Sequence, residues 1–155
     1  MKPRTRARGV ALQALYEIDI AEHPPEIVWQ NRLLESGLEG VLSEFAHNIV
    51  FSIYPLRTTL DSLISEHAPE WPLDQVATID RNIIRIALWE FAVYGQTPTK
   101  VAINEAVELA KLYGSDSSAR FVNGVLGSLA DRKNEIQQII QKYIDVKAAD
   151  EVNRK

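Results

Sequence analysis

Cysteine is absent from the 155 residues of this sequence, and every function that needs a thiol is excluded with it. Disulfide bonds, thiolate catalysis and cysteine-ligated zinc all belong to that group. A chain without disulfides suits a reducing compartment, and we therefore expect a cytoplasmic protein.

Long hydrophobic runs are also missing. The most apolar segment, residues 83–94, is too short to span a bilayer and is interrupted by Arg85 and Glu90. The N-terminus carries cations without the apolar stretch of a secretory signal. With 46% hydrophobic and 25% charged residues, the composition is that of a globular protein. We expect a single domain over 1–155 and no membrane partner.

Motifs for catalysis or cofactor binding are scarce. Only seven glycines are present, and no phosphate-binding glycine loop is found among them. The three histidines, at 23, 47 and 67, are scattered and make no metal-binding pattern. Glu105 and Glu108 are spaced as on a solvated helix face. We therefore predict no catalytic residue, no metal and no cofactor, and a protein that is not an enzyme.

Apolar residues recur at intervals of three and four along most of the chain, which predicts helices throughout. Gly37 is placed to end the second helix, and Pro55 is expected to kink or split the third. The fold class is therefore all-α, a bundle of about seven helices. The predicted helices span residues 4–21, 25–35, 41–66, 73–94 and 101–113, and a last one opens at "SDSS" and runs to about residue 143. They number six, or seven if Pro55 splits the third.

Positive charge is concentrated at the start of an acidic chain. The net charge is −4, from 17 Lys and Arg against 21 Asp and Glu. The segment "KPRTRAR" nevertheless carries Lys2, Arg4, Arg6 and Arg8, and no acid precedes Glu17. Such a basic arm, residues 1–8, binds phosphates by counterion release, and its alternative role is to keep the chain soluble. Arg4 and Arg8, one helical turn apart, are expected to share a face.

A second candidate site is the turn "KLYGSDSSARF". Gly114 closes one helix, and Ser115 or Asp116 is placed to cap the next. Free amides at a helix start attract phosphate, and Lys111 and Arg120 flank this one. The alternative is a capped turn with Phe121 in the core. Gly124 and Gly127, further along the same helix, indicate close packing against a neighbour.

The helix containing "TIDRNIIRIALWE" is interrupted by Asp80, Arg81 and Arg85. These charges are typical either of ion pairs within the molecule or of a docking face for a partner. Periodicity leaves the two interpretations open.

Three segments together resemble the NusB family of bacterial transcription antitermination factors. They are "RARGVALQALYEID", "IDRNIIRIALWE" and "TPTKVAINEAVELAKLYGSDSSARFVNGVLGSLA", in the family's order and spacing. The resemblance runs from about Pro3 to Ala130, is weakest between residues 21 and 64, and is absent after about residue 133.

This resemblance implies an all-α fold of two packed helical subdomains and a non-enzymatic role. NusB-like proteins pair with NusE, a small-subunit ribosomal protein, and bind the boxA element of nascent RNA. The complex joins RNA polymerase with other Nus factors and counters premature termination, notably during ribosomal RNA synthesis. Some family members form homodimers that hide the RNA surface.

The resemblance also assigns residues to the two binding surfaces. NusE would contact Tyr16, Asp80 and Arg81. RNA would contact two groups, one in the first helix and one around the turn near residue 115: Lys2, Arg4, Arg6, Arg8, Gln13, Lys111, Tyr113, Ser117, Ser118 and Phe121.

The sequence departs from the family in two places besides Pro55. Its early arginines alternate with other residues instead of adjoining each other, and residues 134–155 form a C-terminal extension that lengthens the last helix or contacts a partner. Two other functions are retained. One is the NusB-like RNA-binding domain of an RNA cytosine methyltransferase, for which 155 residues leave no room for a methyl-donor domain. The other is a homodimer in which the basic arm only aids solubility.

Overall fold

The computed structural model describes residues 1–154, without the side chain of Leu73, and within this range it forms seven α-helices and no strand. The all-α prediction is confirmed. A 3-10 turn at Leu73–Gln75 precedes the fourth helix, and a π-helical turn at Glu90–Tyr94 follows it. The helices are α1 Pro3–Ala21, α2 Pro25–Ser36, α3 Gly40–His67, α4 Thr78–Trp89, α5 Thr99–Tyr113, α6 Ser118–Ala130 and α7 Lys133–Asn153.

One proline and one glycine set the bounds of α2. Pro25 occupies the first turn, where a missing N–H leaves no bond unmade. Gly37 follows the last turn with φ of 69°, a left-handed conformation that favours glycine, and its N–H donates to the Leu33 carbonyl at 3.1 Å. The predicted ends of this helix are confirmed.

Pro55 does not split α3, which continues unbroken from Gly40 to His67. Proline removes one backbone donor, in this case the one that would bond to the Phe51 carbonyl. Pro55 is exposed on the outer side of the helix. The carbonyl left without its donor can therefore be hydrated, and a continuous helix is retained.

The last predicted helix is in fact two. The chain leaves helical geometry at Arg132, where φ is −116° and ψ is 22°, so that α6 ends and α7 begins. Ile136 and Ile140 lie in the core, at seven and eleven residues from buried Leu129. The apolar spacing therefore continues in phase across the break, which is why periodicity alone predicted a single helix. The predicted 134–155 extension falls on α7 as far as Asn153; Arg154 follows the helix, and Lys155 lies outside the described residues.

The helices pack as two subdomains, α1–α3 and α4–α7, with α1 and α4 at their junction. Ala7, Ala11 and Ala14 are fully buried along α1, and these small side chains let neighbouring helices approach closely. In α4 every residue from Asn82 to Trp89 is buried, as expected of a helix surrounded by others.

Only one of the two glycines in α6 is explained by close packing. A Cβ added at Gly124 would lie 3.0 Å from Cζ2 of Trp71, so the indole ring rests against this helix. A Cβ at Gly127 would meet no atom within 4 Å. The packing interpretation is therefore wrong for Gly127.

Arg85, itself buried, joins the two subdomains through ion pairs with two partly exposed carboxylates. Its guanidinium donates to both Asp61 oxygens at 2.8 and 2.6 Å and to Asp19 at 2.7 Å. Asn82 donates to the same Asp19 at 3.0 Å. Burial opposes the charge, but the two carboxylates outweigh it and raise the pKa of Arg85 above its ordinary value. The interpretation of Arg85 as an internal ion-pair residue is confirmed.

We expect Arg85→Ala to lower the free energy of unfolding by about 3 kcal/mol, because two carboxylates at the subdomain junction lose their cation. The matched control is Arg132→Ala, whose exposed pair with Glu135 spans 4.0 Å and contributes less than about 0.5 kcal/mol. Chemical denaturation of both variants measures the difference. Equal losses would contradict a structural role for Arg85.

Candidate nucleic-acid interface

One side of α1 is exposed at both ends, covered by Tyr113 at Gly9, and carries several of the predicted contact residues. Arg6, Gly9, Gln13 and Tyr16 follow each other at intervals of three and four, which places them on one side of the helix. Lys2 immediately precedes the helix and is exposed, as are Arg6 and Tyr16. Because α1 begins at Pro3, residues 3–8 of the predicted basic arm are helical, and Met1 and Lys2 precede the helix.

Arg8, predicted to contact RNA, is placed inside the protein and is 4% exposed. Its Nε and Nη2 donate to the two carboxylate oxygens of Glu90, each at 2.8 Å, and Nη1 lies 3.5 Å from Glu105. Thr97 donates to Glu90 at 3.0 Å, and Thr5 donates to Glu105 at 2.7 Å. The sequence predicted that Arg4 and Arg8 share one face of α1. At Arg8 that face points into the core.

The other two arginines of this segment are exposed. The guanidinium of Arg4 lies over the ring of Phe45, 4.7 Å from its centroid, and its charged group stays at the surface. Arg6 donates to the Ser36 carbonyl at the end of α2. The cations available to a ligand are thus Lys2, Arg4 and Arg6, on two flanks of α1.

Tyr113 packs against α1 at Gly9, which has no side chain. A Cβ added at Gly9 would lie 2.5 Å from Oη of Tyr113 and 3.2 Å from its ring. The contact brings the end of α5 next to Gln13 and Tyr16. The first of two clefts here has a volume of about 460 Å³ and is lined by Gln13, Tyr16, Arg32, Ala77, Thr78, Ile79 and Tyr113.

Lys2 and Lys111 also come together, on the two sides of a groove between the start of α1 and α5. The groove has a volume of about 730 Å³. Lys111 is exposed and lies 3.4 Å from Glu108 on the same helix. An exposed pair of this kind is weak, so the lysine can turn toward a phosphate.

The turn between α5 and α6 separates its two predicted serines. Ser118 is 1% exposed, and its Oγ accepts the N–H of Ser115 at 2.9 Å. A Cβ at Gly114 would lie 2.4 Å from that same Oγ, so the glycine leaves room for it. Ser118 therefore stabilises the turn from inside. Ser117 precedes α6, is exposed, and makes no side-chain capping bond.

Phe121 is half-buried beside Trp71, with ring centroids 5.2 Å apart and planes at 80°. The sequence assigned Phe121 and Asp80 to different surfaces, but the structure places both in one cleft. This second cleft also has a volume of about 460 Å³ and shares Ala77 with the first, so the two are contiguous. Its lining is Trp71, Pro72, Gln75, Val76, Ala77, Asp80, Ser117, Arg120 and Phe121.

Asp80 and Arg81, both predicted for the protein partner, lie in the first turn of α4. Asp80 is 7% exposed, and Arg81 is half-buried. Two residues of these clefts were missed by the sequence reasoning. Trp71 lies between the predicted helices 41–66 and 73–94, in a segment to which no function was assigned, and Arg32 lies in the region where the family resemblance is weakest.

Across residues 1–154, no group of three or more histidine, aspartate or glutamate side chains is arranged to hold a metal ion. Within the same range, no helix has both the length and the apolar character that crossing a bilayer requires.

Comparison with known proteins identifies the family. The model of the NusB family matches residues 5–131. The chain belongs to the NusB family. The transcription antitermination protein NusB of Roseiflexus castenholzii is 47% identical over 134 residues, which are 85% of this chain and 94% of that protein.

Solved structures share the fold. T. maritima NusB has a TM-score of 0.73 and 29% identity, covering 89% of this chain and 92% of the other. A chain in the crystal structure of antitermination factors NusB and NusE with dsRNA also has a TM-score of 0.73, at 24% identity, covering 90% and 98%. The predicted family and its two-subdomain fold are confirmed.

We expect Arg8→Ala to destabilise the protein by about 3–5 kcal/mol, because buried Glu90 loses its cation. Arg6→Ala, two residues away and exposed, should cost less than about 0.5 kcal/mol. Thermal and chemical unfolding of both variants test the contrast. If Arg8→Ala unfolds like the unmodified protein, the buried placement of this side chain is refuted.

We expect Gly9→Ala to lower the unfolding temperature, because the added methyl meets the hydroxyl end of Tyr113. In the Tyr113→Phe background the same change should lower the unfolding temperature less, since the hydroxyl oxygen nearest to the added methyl is gone. In both backgrounds alanine favours the helix over glycine by about 1 kcal/mol. A double-mutant cycle in thermal unfolding measures this coupling. Additive effects would mean that the two residues do not touch.

Proposed function

We propose that this protein is a transcription antitermination factor that binds the boxA element of nascent RNA together with NusE and supports ribosomal RNA transcription. The observation that carries the proposal is that exposed cations at the start of α1 and the end of α5 occur on the same helices as aromatic rings that line the two clefts. Single-stranded RNA is bound by this combination, in which cations hold phosphates and rings stack on bases. Membership of a family whose relatives bear the name antitermination protein supports it.

The charge distribution suits selective binding. An acidic molecule, at −4 overall, repels nucleic acid except where cations concentrate. Arg8 and Ser118 are left out of the proposed RNA surface because their polar groups are engaged inside the protein. The proposed RNA contacts are Lys2, Arg4, Arg6, Gln13, Lys111, Tyr113, Ser117 and Phe121.

The NusE contact is proposed on the adjoining part of α1. Tyr16 is 40% exposed and Ile20, one turn further, is 57% exposed. Exposed apolar side chains at this spacing suit a protein partner, and tyrosine is frequent at the centre of interfaces. Asp80 and Arg81 stay predictions for this surface. Tyr16 also lines the first cleft, so a partner docked there can reach RNA bound next to it.

The proposed role requires no catalysis and is exercised in the cytoplasm, where RNA polymerase and other Nus factors are further partners. The methyltransferase-domain alternative is less well supported, because the chain spans 94% of a relative named as an antitermination protein. A homodimer that covers the RNA surface is a second state of the same molecule in this proposal.

We expect RNA affinity to fall steeply with salt. If Lys2, Arg6 and Lys111 each neutralise one phosphate of single-stranded RNA, the slope of log K against log salt is about −0.7 × 3, or about −2.1. Raising salt from about 50 to about 200 mM should then weaken binding roughly 20-fold. Fluorescence anisotropy with boxA RNA and purified NusE measures this slope.

The matched variants are Arg6→Ala and Arg132→Ala, both exposed arginines. Arg6→Ala should reduce the salt slope by about 0.7, whereas Arg132→Ala should leave it unchanged. A slope near zero, or the same loss in both variants, would sink the assignment of the α1 cations to phosphate binding.

A further inference from the structure

Arg4 is held in place by an aromatic ring. Its guanidinium carbon lies 4.7 Å from the centroid of the Phe45 ring, and within the described residues it makes no hydrogen bond or ion pair. The other two arginines at the start of α1 each donate hydrogen bonds, Arg8 to a buried carboxylate and Arg6 to a backbone carbonyl. Arg4 is exposed, so the side of its guanidinium that faces away from the ring is open to a ligand.

The ring that supports Arg4 has a fixed orientation. Phe45 is 6% exposed, and its ring centroid lies 6.3 Å from that of Tyr94, with the two planes at 53°. Tyr94 in turn stacks on buried Trp89, with centroids 4.9 Å apart and planes at 20°. Because side chains in a close-packed interior keep one orientation, these three rings give Arg4 a rigid support.

Another arginine of the molecule also lies over a ring, but its donors are used. The guanidinium carbon of Arg57 is 3.9 Å from the ring centroid of Tyr54, and its Nη1 donates to the Tyr54 carbonyl at 2.9 Å. Both residues belong to α3, so Arg57 is tied to its own helix. The pair of Arg4 and Phe45 instead joins α1 to α3 and engages none of the guanidinium donors.

We propose that Phe45 positions Arg4 as a platform on which one base of the RNA stacks. The inference rests on the proposed RNA-binding function and adds a positioning residue, Phe45, to which the family resemblance assigns no role. A guanidinium is planar and weakly hydrated, and unpaired RNA bases stack on such planes. A cation placed between a ring and a base is attracted to the π-face of each. Because the ring holds the side chain beforehand, less conformational entropy is lost when the base arrives.

The stacking role separates Arg4 from the cations proposed to hold phosphates. Each phosphate contact contributes about 0.7 to the slope of log K against log salt. A stacked base leaves the number of neutralised phosphates unchanged, so loss of the platform weakens binding by the same factor at every salt concentration. Affinity and salt slope, measured together, therefore distinguish a guanidinium that stacks from one that holds a phosphate.

Arg4→Lys tests the platform, because it keeps the positive charge and removes the plane. In fluorescence anisotropy with boxA RNA and purified NusE, we expect binding to weaken about ten-fold with an unchanged salt slope. Arg4→Ala should give the same result. A lysine variant that binds like the unmodified protein, or an alanine variant whose slope is reduced by about 0.7, would show that Arg4 holds a phosphate and would refute the stacking.

A double-mutant cycle with Arg4 measures the part played by Phe45. Phe45→Leu keeps an apolar side chain and removes the π-face, and we expect it to weaken RNA binding about three-fold. In the Arg4→Ala background it should have no effect, because the cation that it positions is gone. Phe45→Tyr, which keeps the π-face, should bind like the unmodified protein. The same loss in both backgrounds would mean that Phe45 acts only through the fold, which would overturn its positioning role.

Circular dichroism establishes that each variant is folded, and Phe45→Met takes the place of Phe45→Leu if the latter is not. The matched controls are Phe51→Leu and Arg57→Lys. Phe51 is a half-buried ring of the same helix and stacks on His47, with centroids 4.4 Å apart. Both control variants should bind RNA like the unmodified protein. An equal loss in the controls would overturn the assignment to Phe45 and Arg4.

Two outcomes separate this inference from the proposed function. If the unmodified protein binds RNA with NusE and neither Arg4→Lys nor Phe45→Leu weakens the binding, the platform is refuted and the RNA-binding function stands. If the unmodified protein with NusE binds no RNA at all, the proposed function itself fails, and the platform fails with it.

Discussion

The buried pair between Arg8 and Glu90 determines how α1 is turned. Two hydrogen bonds of 2.8 Å fix the guanidinium plane, and Thr97 holds the carboxylate from the other side. Because Arg8 must face inward to meet Glu90, Arg6 on the other side of the helix faces solvent and Gln13 lines the first cleft. An ion pair in the core therefore sets which side chains of α1 a ligand can reach.

The proposed binding surface depends on both subdomains. Tyr16 comes from α1, Ala77 from the segment before α4, and Tyr113 and Phe121 from the two sides of the α5–α6 turn. No single helix supplies all of these side chains. The surface thus depends on the packing of α1 against α4 and α5. The absence of a side chain at Gly9 permits the close contact with Tyr113.

Sequence reasoning predicted the helices well because apolar spacing reports directly on local geometry, and Gly37 marks one end without ambiguity. It failed where contacts between residues far apart in the sequence determine the position of a side chain. Spacing correctly put Arg4 and Arg8 on one side of α1, but it holds no information on Glu90, 82 residues further along. The break at Arg132 was missed because the buried apolar residues keep a helical spacing across it. The shared cleft of Asp80 and Phe121 depends on tertiary packing, which no local pattern contains.

The two ion-pair ties have a mechanical consequence. Arg85 lies in α4 and Glu90 begins the π-helical turn that continues it, five residues or about 7.5 Å further along the axis. Each is tied to α1, Arg85 through Asp19 and Glu90 through Arg8. Two anchor points prevent a hinge between the subdomains, because rotation about one strains the other. The proposed recognition surface is consequently preorganised, which lowers the conformational entropy that docking of a ligand would cost.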